Sequence, residues 1–279
     1  SKQVYIFSQV QRKMPLTTRK IANFQKKILK FYATSGRDLP WRKTTDPYLI
    51  LVSEIMLQQT QVDRVIPRYR AWIQKWPTIQ DFSRASKREV LQEWTGLGYN
   101  NRAVRLHTTA NIIVKQHNGK VLHAIQQTKL PGVGPYTKNA VSIFARNQDL
   151  STVDTNIRRI LLHEFHLPEN STEKELGQLA QQCLPKGKSR DWHNALMDYG
   201  ATLLTSRTTG IKPKTKQSRF VGSRRQLRAM ILRAILEQRS LTHQELFKKF
   251  SSHPAARHVD HILASLLRDE VLEQNRNRY

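Results

Sequence analysis

The chain is poor in cysteine, in acidic side chains and in long apolar runs. Cys183 is the only cysteine among 279 residues, so this sequence holds neither an internal disulfide nor a multi-cysteine zinc or iron–sulfur site. No segment approaches the roughly 18 apolar residues of a membrane-spanning helix, and residues 1–14 lack the apolar core of a signal peptide. We therefore expect no metal, no membrane partner and an intracellular location.

The shortage of acidic residues leaves a large positive charge. Lys and Arg number 47 against 21 Asp and Glu, which gives a formal net charge of +26. Binding to a polyanion is the usual reason for such a self-repelling excess. Nucleic acid is therefore the predicted partner, and the expected location is with the nucleic acid, in the cytoplasm, nucleoid or nucleus.

Apolar residues recur at helical spacing from residue 21 to residue 204, without a convincing run of strand alternation. This pattern predicts an all-α region of about ten helices. The predicted helices cover 21–32, 47–61, 65–76, 87–94, 101–115, 125–130, 137–146, 156–165, 173–183 and 192–204.

A basic segment then interrupts the helical pattern. Residues 205–221 contain Lys212, Lys214 and Lys216 with almost no apolar side chain, which predicts a basic linker that either contacts phosphates or is simply solvated. Beyond it, two helices at 224–238 and 259–267 flank a third that opens with a capping box at Thr242.

One or two short strands are predicted in residues 271–279. These elements favour a small winged-helix-like module over 222–279, and a helical tail packed on the main domain is the alternative. The predicted organisation is an N-terminal extension (1–19), a helical domain (20–204), the linker (205–221) and this module.

A glycine turn at Leu130–Thr137 precedes an apolar helix. Gly132 and Gly134 permit a positive φ and leave backbone N–H groups uncovered, and the start of a helix attracts anions. In a basic protein this favours a nucleic-acid phosphate. A tight turn between packed helices is the alternative, since so short a glycine pattern is weak by itself.

Two carboxylates lie in contrasting sequence environments. Glu54 shares an apolar helix face with Ile50 and Leu57, so burial should raise its pKa and let it donate a proton. Asp154 directly precedes a helix, where N–H groups should keep it ionised. Such a pair suits cleavage of a bond to a sugar, whereas a surface glutamate and a simple helix cap are the alternatives.

Several ordered motifs between about residues 20 and 205 resemble helix-hairpin-helix DNA glycosylases (endonuclease III-like), and most closely the MutY-type adenine branch. The family's fold implies two helical lobes with the active site between them. The matching stretches are 39–42 (LPWR), 46–48 (DPY), 53–62 (SEIMLQQTQV), 94–99 (WTGLGY), 130–137 (LPGVGPYT), 153–156 (VDTN) and 197–201 (MDYGA).

The resemblance implies roles for four catalytic residues. Glu54 protonates a purine ring nitrogen and activates water, while Asp154 stabilises the sugar cation. Asn156 holds Asp154, and Tyr136 hydrogen-bonds within the site. The lyase branch carries lysine where this chain has Tyr136, so the resemblance implies a monofunctional, monomeric hydrolase that leaves an abasic site.

The resemblance also implies contacts to base and DNA. Trp41 and Arg42 line the base pocket, and Gln59 and Tyr99 are the residues that enter the base stack. The base must be flipped, because its glycosidic bond is not reachable inside a duplex.

The hairpin residues Gly132, Gly134 and Thr137 are the implied DNA-backbone contacts, with a monovalent cation at the hairpin as an optional ligand. The expected substrate is double-stranded DNA with adenine opposite 8-oxoguanine or guanine.

The chain departs from the family at three places. Leu204 stands where the first cluster cysteine is usual, which implies a form with no iron–sulfur cluster and no required cofactor. Thr155 replaces a glycine at the base pocket, and Asn100 replaces a second tyrosine. A thymine or modified-pyrimidine glycosylase and a non-catalytic DNA-binding protein are the alternatives, although the run at 58–61 (QQTQ) favours adenine.

Overall fold

The computed structural model describes residues 17–211 and 219–279. Within these ranges the chain is helical, with only isolated β-bridges, so the all-α prediction is confirmed. The helices are α1 (Thr18–Ser35), α2 (Pro47–Leu57), α3 (Val62–Lys75), α4 (Ile79–Ser83), α5 (Lys87–Glu93), α6 (Asn101–His117), α7 (Val121–Gln127), α8 (Pro135–Arg146), α9 (Thr155–Glu164), α10 (Glu173–Cys183), α11 (Ser189–Thr202), α12 (Ser206–Thr209), α13 (Arg224–Gln238), α14 (His243–Phe250) and α15 (Val259–Arg268).

Two helix predictions need correction, and two short helices were missed. The helix predicted at 47–61 ends at Leu57, because Gln58 leaves the helical region and Gln59 adopts a φ of 55°. The helix predicted at 125–130 is α7, which starts and ends earlier. Periodicity missed α4 and α12, which have only 5 and 4 residues and so show too little of a repeat.

The first lobe is built around α2. Asp46 caps this helix by accepting a hydrogen bond from the Tyr48 N–H (2.7 Å), and Pro47 occupies its first turn. Residues 50–56 of α2 are all buried, since α3, α6 and α8 pack around the helix. Trp72 and Trp94 fill the core of this lobe. A largely apolar helix that is buried on all sides belongs at the centre of a domain.

The second lobe combines the first helix of the described chain with later ones. Its core joins α1, α9, α10 and α11. The Phe24 ring packs edge-on against Phe165 and Trp192, with centroids 5.2 and 5.4 Å away. Cys183 is buried in the same core. The two predicted lobes are therefore present, and α2 and α8 of one lobe face α9 and α11 of the other.

The predicted linker is partly structured. Thr205 caps the short α12 by accepting from the Thr208 N–H (3.2 Å), and half-buried Ile211 packs against the second-lobe core. Lys212, Lys214 and Lys216 lie outside the described residues, as do residues 1–16 of the predicted N-terminal extension. The segment just after Leu204 thus supports the second lobe by packing.

Residues 222–279 contain the three predicted helices, α13 to α15, and their assignment to a separate winged-helix-like module stays a prediction. The predicted strands at 271–279 are wrong: the described chain forms only isolated bridges, such as Thr242 with Arg278. The module's apolar residues are continuous with the first-lobe core. The Arg88 guanidinium donates to the Leu236 carbonyl, and Lys87 pairs with Glu273 at 2.6 Å, so the module packs on α5.

Candidate active site

A cavity of about 460 Å³ lies between the two lobes. The predicted residues that line it are Trp41, Arg42, Glu54, Gln59, Tyr136, Asp154, Thr155 and Asn156. These positions are spread over more than 100 residues of sequence and come from both lobes. The fold therefore gathers the predicted catalytic residues and the predicted base pocket into one site.

Glu54 enters the cavity from the centre of α2 and is only 7% exposed. Its pKa is raised to about 8, chiefly because burial disfavours the charged carboxylate and also because of the nearby charge of Asp154. A hydrogen bond from Tyr136 acts in the opposite direction. Glu54 is therefore largely protonated at neutral pH and can act as an acid.

Tyr136 lies in the first turn of α8 and bonds to the Glu54 carboxyl. Burial and the two neighbouring carboxyl groups raise the pKa of its hydroxyl well above the ordinary value. The hydroxyl therefore stays protonated and serves as a hydrogen-bond donor. α8 itself packs closely on α2, which fixes Tyr136 beside Glu54.

Asp154 is the N-cap of α9. Its Oδ1 accepts from the Ile157 N–H at 2.7 Å, and its Oδ2 accepts from the Asn156 side-chain amide at 3.3 Å. Burial raises its pKa and outweighs these hydrogen bonds and the charge of Arg159, which lower it. The helix cap was predicted, but the dominant effect of burial on the pKa was not.

Arg159 supports Asp154 indirectly and was not predicted. Its Nη2 donates to the Asn156 side-chain oxygen at 2.6 Å and to the Gly200 carbonyl at 3.1 Å, while its Nε donates to the Leu204 carbonyl at 2.5 Å. Arg159 therefore fixes the amide that bonds to Asp154. Its position three residues after Asn156, on a buried face of α9, was the available sequence signal.

Gly200 has a steric reason to lack a side chain. A Cβ there would lie 3.1 Å from both the Asn156 Cβ and the Ile160 Cδ1. Such contacts are tighter than most Cβ contacts in proteins, so a side chain at this position would require Asn156 and Ile160 to shift by a few tenths of an ångström. The close approach of α11 to α9 holds Asn156 against the cavity.

The predicted pocket residue Arg42 is already engaged by an ion pair. Its two guanidinium nitrogens each donate to Asp198 at 2.8 Å, and Arg37 Nε donates to the same carboxylate at 2.6 Å. Asp198 is fully buried; burial alone would raise its pKa, but these bonds outweigh it and lower the value. Arg42 thus joins the two lobes behind the pocket, as well as lining it.

Trp41 and Thr155 form other parts of the pocket wall. Trp41 is 9% exposed and meets the Tyr69 ring edge-on, with centroids 5.6 Å apart. Thr155, the first residue of α9, is exposed at the cavity. Thr155 can therefore contact a base in the cavity without being needed for the core.

The two predicted stack-entering residues lie on separate turns. Gln59 and Tyr99 are both exposed, and they have φ angles of 55° and 46°. Residues other than glycine seldom adopt this left-handed backbone, and strain of this kind concentrates at functional sites. Gln59 lines the cavity, whereas Tyr99 lies outside it.

The hairpin differs in part from the prediction. Gly132 has a φ of 77°, but Gly134 has a φ of −85° and an extended backbone, so positive φ explains only the first glycine. Thr137 is 3% exposed. Its side chain faces the core, which contradicts a side-chain contact to DNA.

Lys138 points away from the cavity, and its Nζ donates to the Gln126 carbonyl at 3.4 Å. This placement agrees with its position two residues beyond Tyr136, because two helical steps turn a side chain by about 200°. No lysine of the described chain lines the cavity.

Residues 17–211 and 219–279 form neither a metal-binding cluster nor a membrane-spanning helix. No group of three or more His, Cys, Asp or Glu residues is arranged to hold a metal ion there. No described helix is both long and apolar enough to cross a membrane.

Comparisons with a family model and with individual relatives give the same family. Residues 52–186 match the HhH-GPD superfamily of base excision DNA repair proteins. An adenine DNA glycosylase of Mycolicibacterium smegmatis is 35% identical over 270 residues, covering 88% of this chain and 92% of the relative. An adenine DNA glycosylase of Rattus norvegicus is 39% identical over 199 residues, covering 66% of this chain but only 39% of the relative.

Among solved structures, a thermostable thymine-DNA glycosylase superposes with a TM-score of 0.62. It is 34% identical, and the match covers 70% of this chain and 91% of that one. The bacterial relative matches a larger share of this chain than either the rat protein or this structure does. The similarity to the bacterial relative therefore extends beyond the two lobes.

Proposed function

The chain belongs to the HhH-GPD superfamily of base excision DNA repair proteins, and we propose that it removes adenine mispaired with 8-oxoguanine or guanine. The resemblance to helix-hairpin-helix glycosylases, and to the MutY-type branch, is confirmed. One observation carries the proposed chemistry: a buried Glu54 with a pKa of about 8 shares a cavity with Asp154.

The reaction needs an acid and a counter-charge. Glu54 donates a proton to a ring nitrogen of the extruded adenine, and the C1′–N9 electron pair leaves with the base as that bond breaks. The Asp154 carboxylate stabilises the positive charge on the sugar. Water then adds at C1′ and passes a proton to the Glu54 carboxylate, which leaves an abasic site and restores the acid.

Protonation by Glu54 favours a purine substrate. Adenine has basic ring nitrogens, whereas thymine has no comparable basic nitrogen to accept the proton. The run at 58–61 (QQTQ) and the named adenine glycosylases among the relatives point the same way.

Thymine opposite guanine is the second candidate. It is supported by Thr155 at the cavity and by the 34% identical thymine-DNA glycosylase. A non-catalytic DNA-binding protein would have no use for a protonated carboxyl in this cavity, so the pair formed by Glu54 and Asp154 weighs against it.

We further propose hydrolysis without lyase activity, because Tyr136 occupies the position of the lyase lysine and Lys138 faces elsewhere. The proposed enzyme acts as a monomer bound to DNA, without an iron–sulfur cluster or another required cofactor. A monovalent cation at the hairpin turn and phosphate contacts through the exposed Gly132 and Gly134 belong to the same proposal.

One panel of duplexes tests the proposal. Each duplex carries one mismatch or lesion, and abasic sites are cleaved with alkali after incubation. Release of adenine alone supports the first candidate, while release of thymine supports the second. Tight binding with no release from any duplex would favour the non-catalytic alternative. An efficient covalent adduct after borohydride treatment would contradict the absence of lyase activity.

A further inference from the structure

Arg102, in the first turn of α6, is the most heavily bonded buried side chain outside the catalytic cavity that the structure describes. It is 9% exposed. Its Nη1 donates to the carbonyls of Ile55, Met56 and Gln58 at 2.7, 3.0 and 2.7 Å. Its Nη2 donates to the Thr60 hydroxyl at 3.0 Å and to the carbonyls of Leu97 and Gly98 at 3.1 Å each.

These acceptors belong to two separate segments. One set lies at the end of α2 and in the turn at 58–60, which carries Gln59. The other set lies in the turn at 97–99, which carries Tyr99. Arg102 therefore joins the two turns that bear the predicted stack-entering side chains, although the turns lie about 40 residues apart in sequence.

Further contacts reinforce the junction. The Thr60 hydroxyl also lies 3.2 Å from the Leu97 carbonyl and so bridges the same two turns. The Arg102 guanidinium lies 5.1 Å from the Trp94 ring centroid and 5.7 Å from that of Tyr99. Burial lowers the Arg102 pKa to about 10, so the side chain remains charged at neutral pH.

Two flexible turns would not keep Gln59 and Tyr99 in their unfavourable backbone conformations. Gln59 and Tyr99 both adopt a left-handed backbone, a conformation that persists only where surrounding structure enforces it. Five carbonyl acceptors around one planar guanidinium provide such enforcement, because the guanidinium presents its donors in a fixed geometry.

We propose that Arg102 is a positioning residue that locks the two turns into one rigid wedge, on which extrusion of the target base depends. The inference rests on the proposed function, since it assumes that this surface enters the base stack. It predicts that loss of Arg102 impairs base extrusion while leaving the chemistry of Glu54 and Asp154 intact.

The test uses the full chain and a duplex with 2′-fluoro-deoxyadenosine opposite 8-oxoguanine, which resists hydrolysis, beside a 2-aminopurine reporter. The change in reporter fluorescence on mixing measures extrusion, and single-turnover cleavage of the unmodified duplex measures turnover. Arg102→Gln should lower the rate of extrusion and the rate of single-turnover cleavage by about 100-fold each, because small displacements of positioned groups have effects of this size. Arg102→Lys should fall between Arg102→Gln and the parent. Lys115→Gln, an exposed change on the same helix, is the matched control.

Two further measurements separate positioning from general loss of structure. In a variant that already carries Gln59→Ala and Tyr99→Ala, adding Arg102→Gln should lower the rate of base extrusion by less than about a further threefold. The effects of residues that act as a unit are not additive. The alkaline limb of the pH–rate profile should stay where it is in the parent. An additive loss, a shifted limb, or unchanged extrusion with slower turnover would overturn the inference.

Thr60→Val covers the case in which Arg102→Gln does not fold. It removes one bridge between the turns and should slow extrusion about fivefold, whereas Thr108→Val, an exposed hydroxyl on α6, should have no effect. Equal extrusion by these two variants would overturn the inference, as would a parent that extrudes no base. Extrusion by the parent without base release would defeat the proposed reaction alone and leave the role of Arg102 intact.

Discussion

The two walls of the cleft hold the same kind of side chain in opposite ways. On the first-lobe wall, Glu54 sits within an apolar helix and has Tyr136 as its hydrogen-bond partner. On the second-lobe wall, Asp154 caps a helix and accepts hydrogen bonds from Ile157 and Asn156. In the proposed mechanism the same functional group serves as an acid on one wall and as a counter-charge on the other, and only the second wall supplies several hydrogen-bond donors.

The pKa directions make the contrast less simple than a paired acid and base. Burial raises the pKa of both carboxyl groups, and Asp154 adds to the shift of Glu54. The donors around Asp154 and the charge of Arg159 oppose the effect of burial on that wall. The proposed division of roles therefore rests on the hydrogen bonds and the charge that favour the ionised form of Asp154, since burial raises the pKa of both groups.

The largest effect is expected on the second-lobe wall. Asp154→Asn removes the negative charge while keeping the size of the side chain. Single-turnover base release should fall by at least about 10³-fold, because the sugar cation loses its counter-charge. Affinity for duplex DNA should stay within a few-fold of the parent. Turnover near the parent rate would refute the assigned role of Asp154.

Tyr136→Phe removes the hydrogen bond to Glu54 on the first-lobe wall and leaves the bonds to Asp154 in place. Base release should fall by roughly tenfold, because the loss of one hydrogen bond costs about 1 kcal/mol. The hydrogen bond from Tyr136 lowers the pKa of Glu54, so its loss should move the alkaline limb of the pH–rate profile to higher pH. A limb that moves to lower pH would contradict the proposed hydrogen bond.

Arg159→Lys provides the matched change on the other wall. Lysine keeps the charge but loses the planar fork that reaches Asn156, Gly200 and Leu204 together. Base release should fall by about five- to tenfold. The acidic limb should move to higher pH as Asp154 becomes less well supported, while the alkaline limb stays in place. Movement of the alkaline limb alone would contradict the claim that Arg159 supports Asp154 and not Glu54.

The last prediction concerns the stability of the fold, not the rate of base release. The pKa of Glu54 lies near 8 in the folded protein and at 4.5 in the reference state, so its ionisation favours unfolding as pH rises between these values. Glu54→Gln should therefore stabilise the fold by as much as about 5 kcal/mol above pH 8 and by little below pH 4.5. Denaturant unfolding at pH 9 and pH 5 measures this; equal gains at both pH values would contradict a raised pKa.

Local patterns in the sequence predicted the helical fold and singled out Glu54 and Asp154, whereas the family resemblance implied the other cavity residues. Glu54 stood out as a charge within an apolar helix, and Asp154 stood out as a residue preceding a helix. These features survive in the folded chain. The same local logic predicted the helix cap and the raised pKa of Glu54.

Orientation and long-range contacts were not predictable in this way. Thr137 is buried because tertiary packing decides which side of a helical turn faces the core. Gly134 has an extended backbone, although glycine also permits a positive φ. The acceptors of Arg102 lie up to 47 residues away, and two of those of Arg159 lie 41 and 45 residues away. Their roles arise only when separate segments meet.

The dependence of single-turnover base release on pH tests the central claim most directly. Measured from pH 5 to pH 10 with DNA saturated by enzyme, the rate should fall about tenfold per pH unit above about pH 8, as Glu54 loses its proton. A rate that rises through pH 8 would contradict the account, because it would show that the ionised form of Glu54 carries the rate-limiting step.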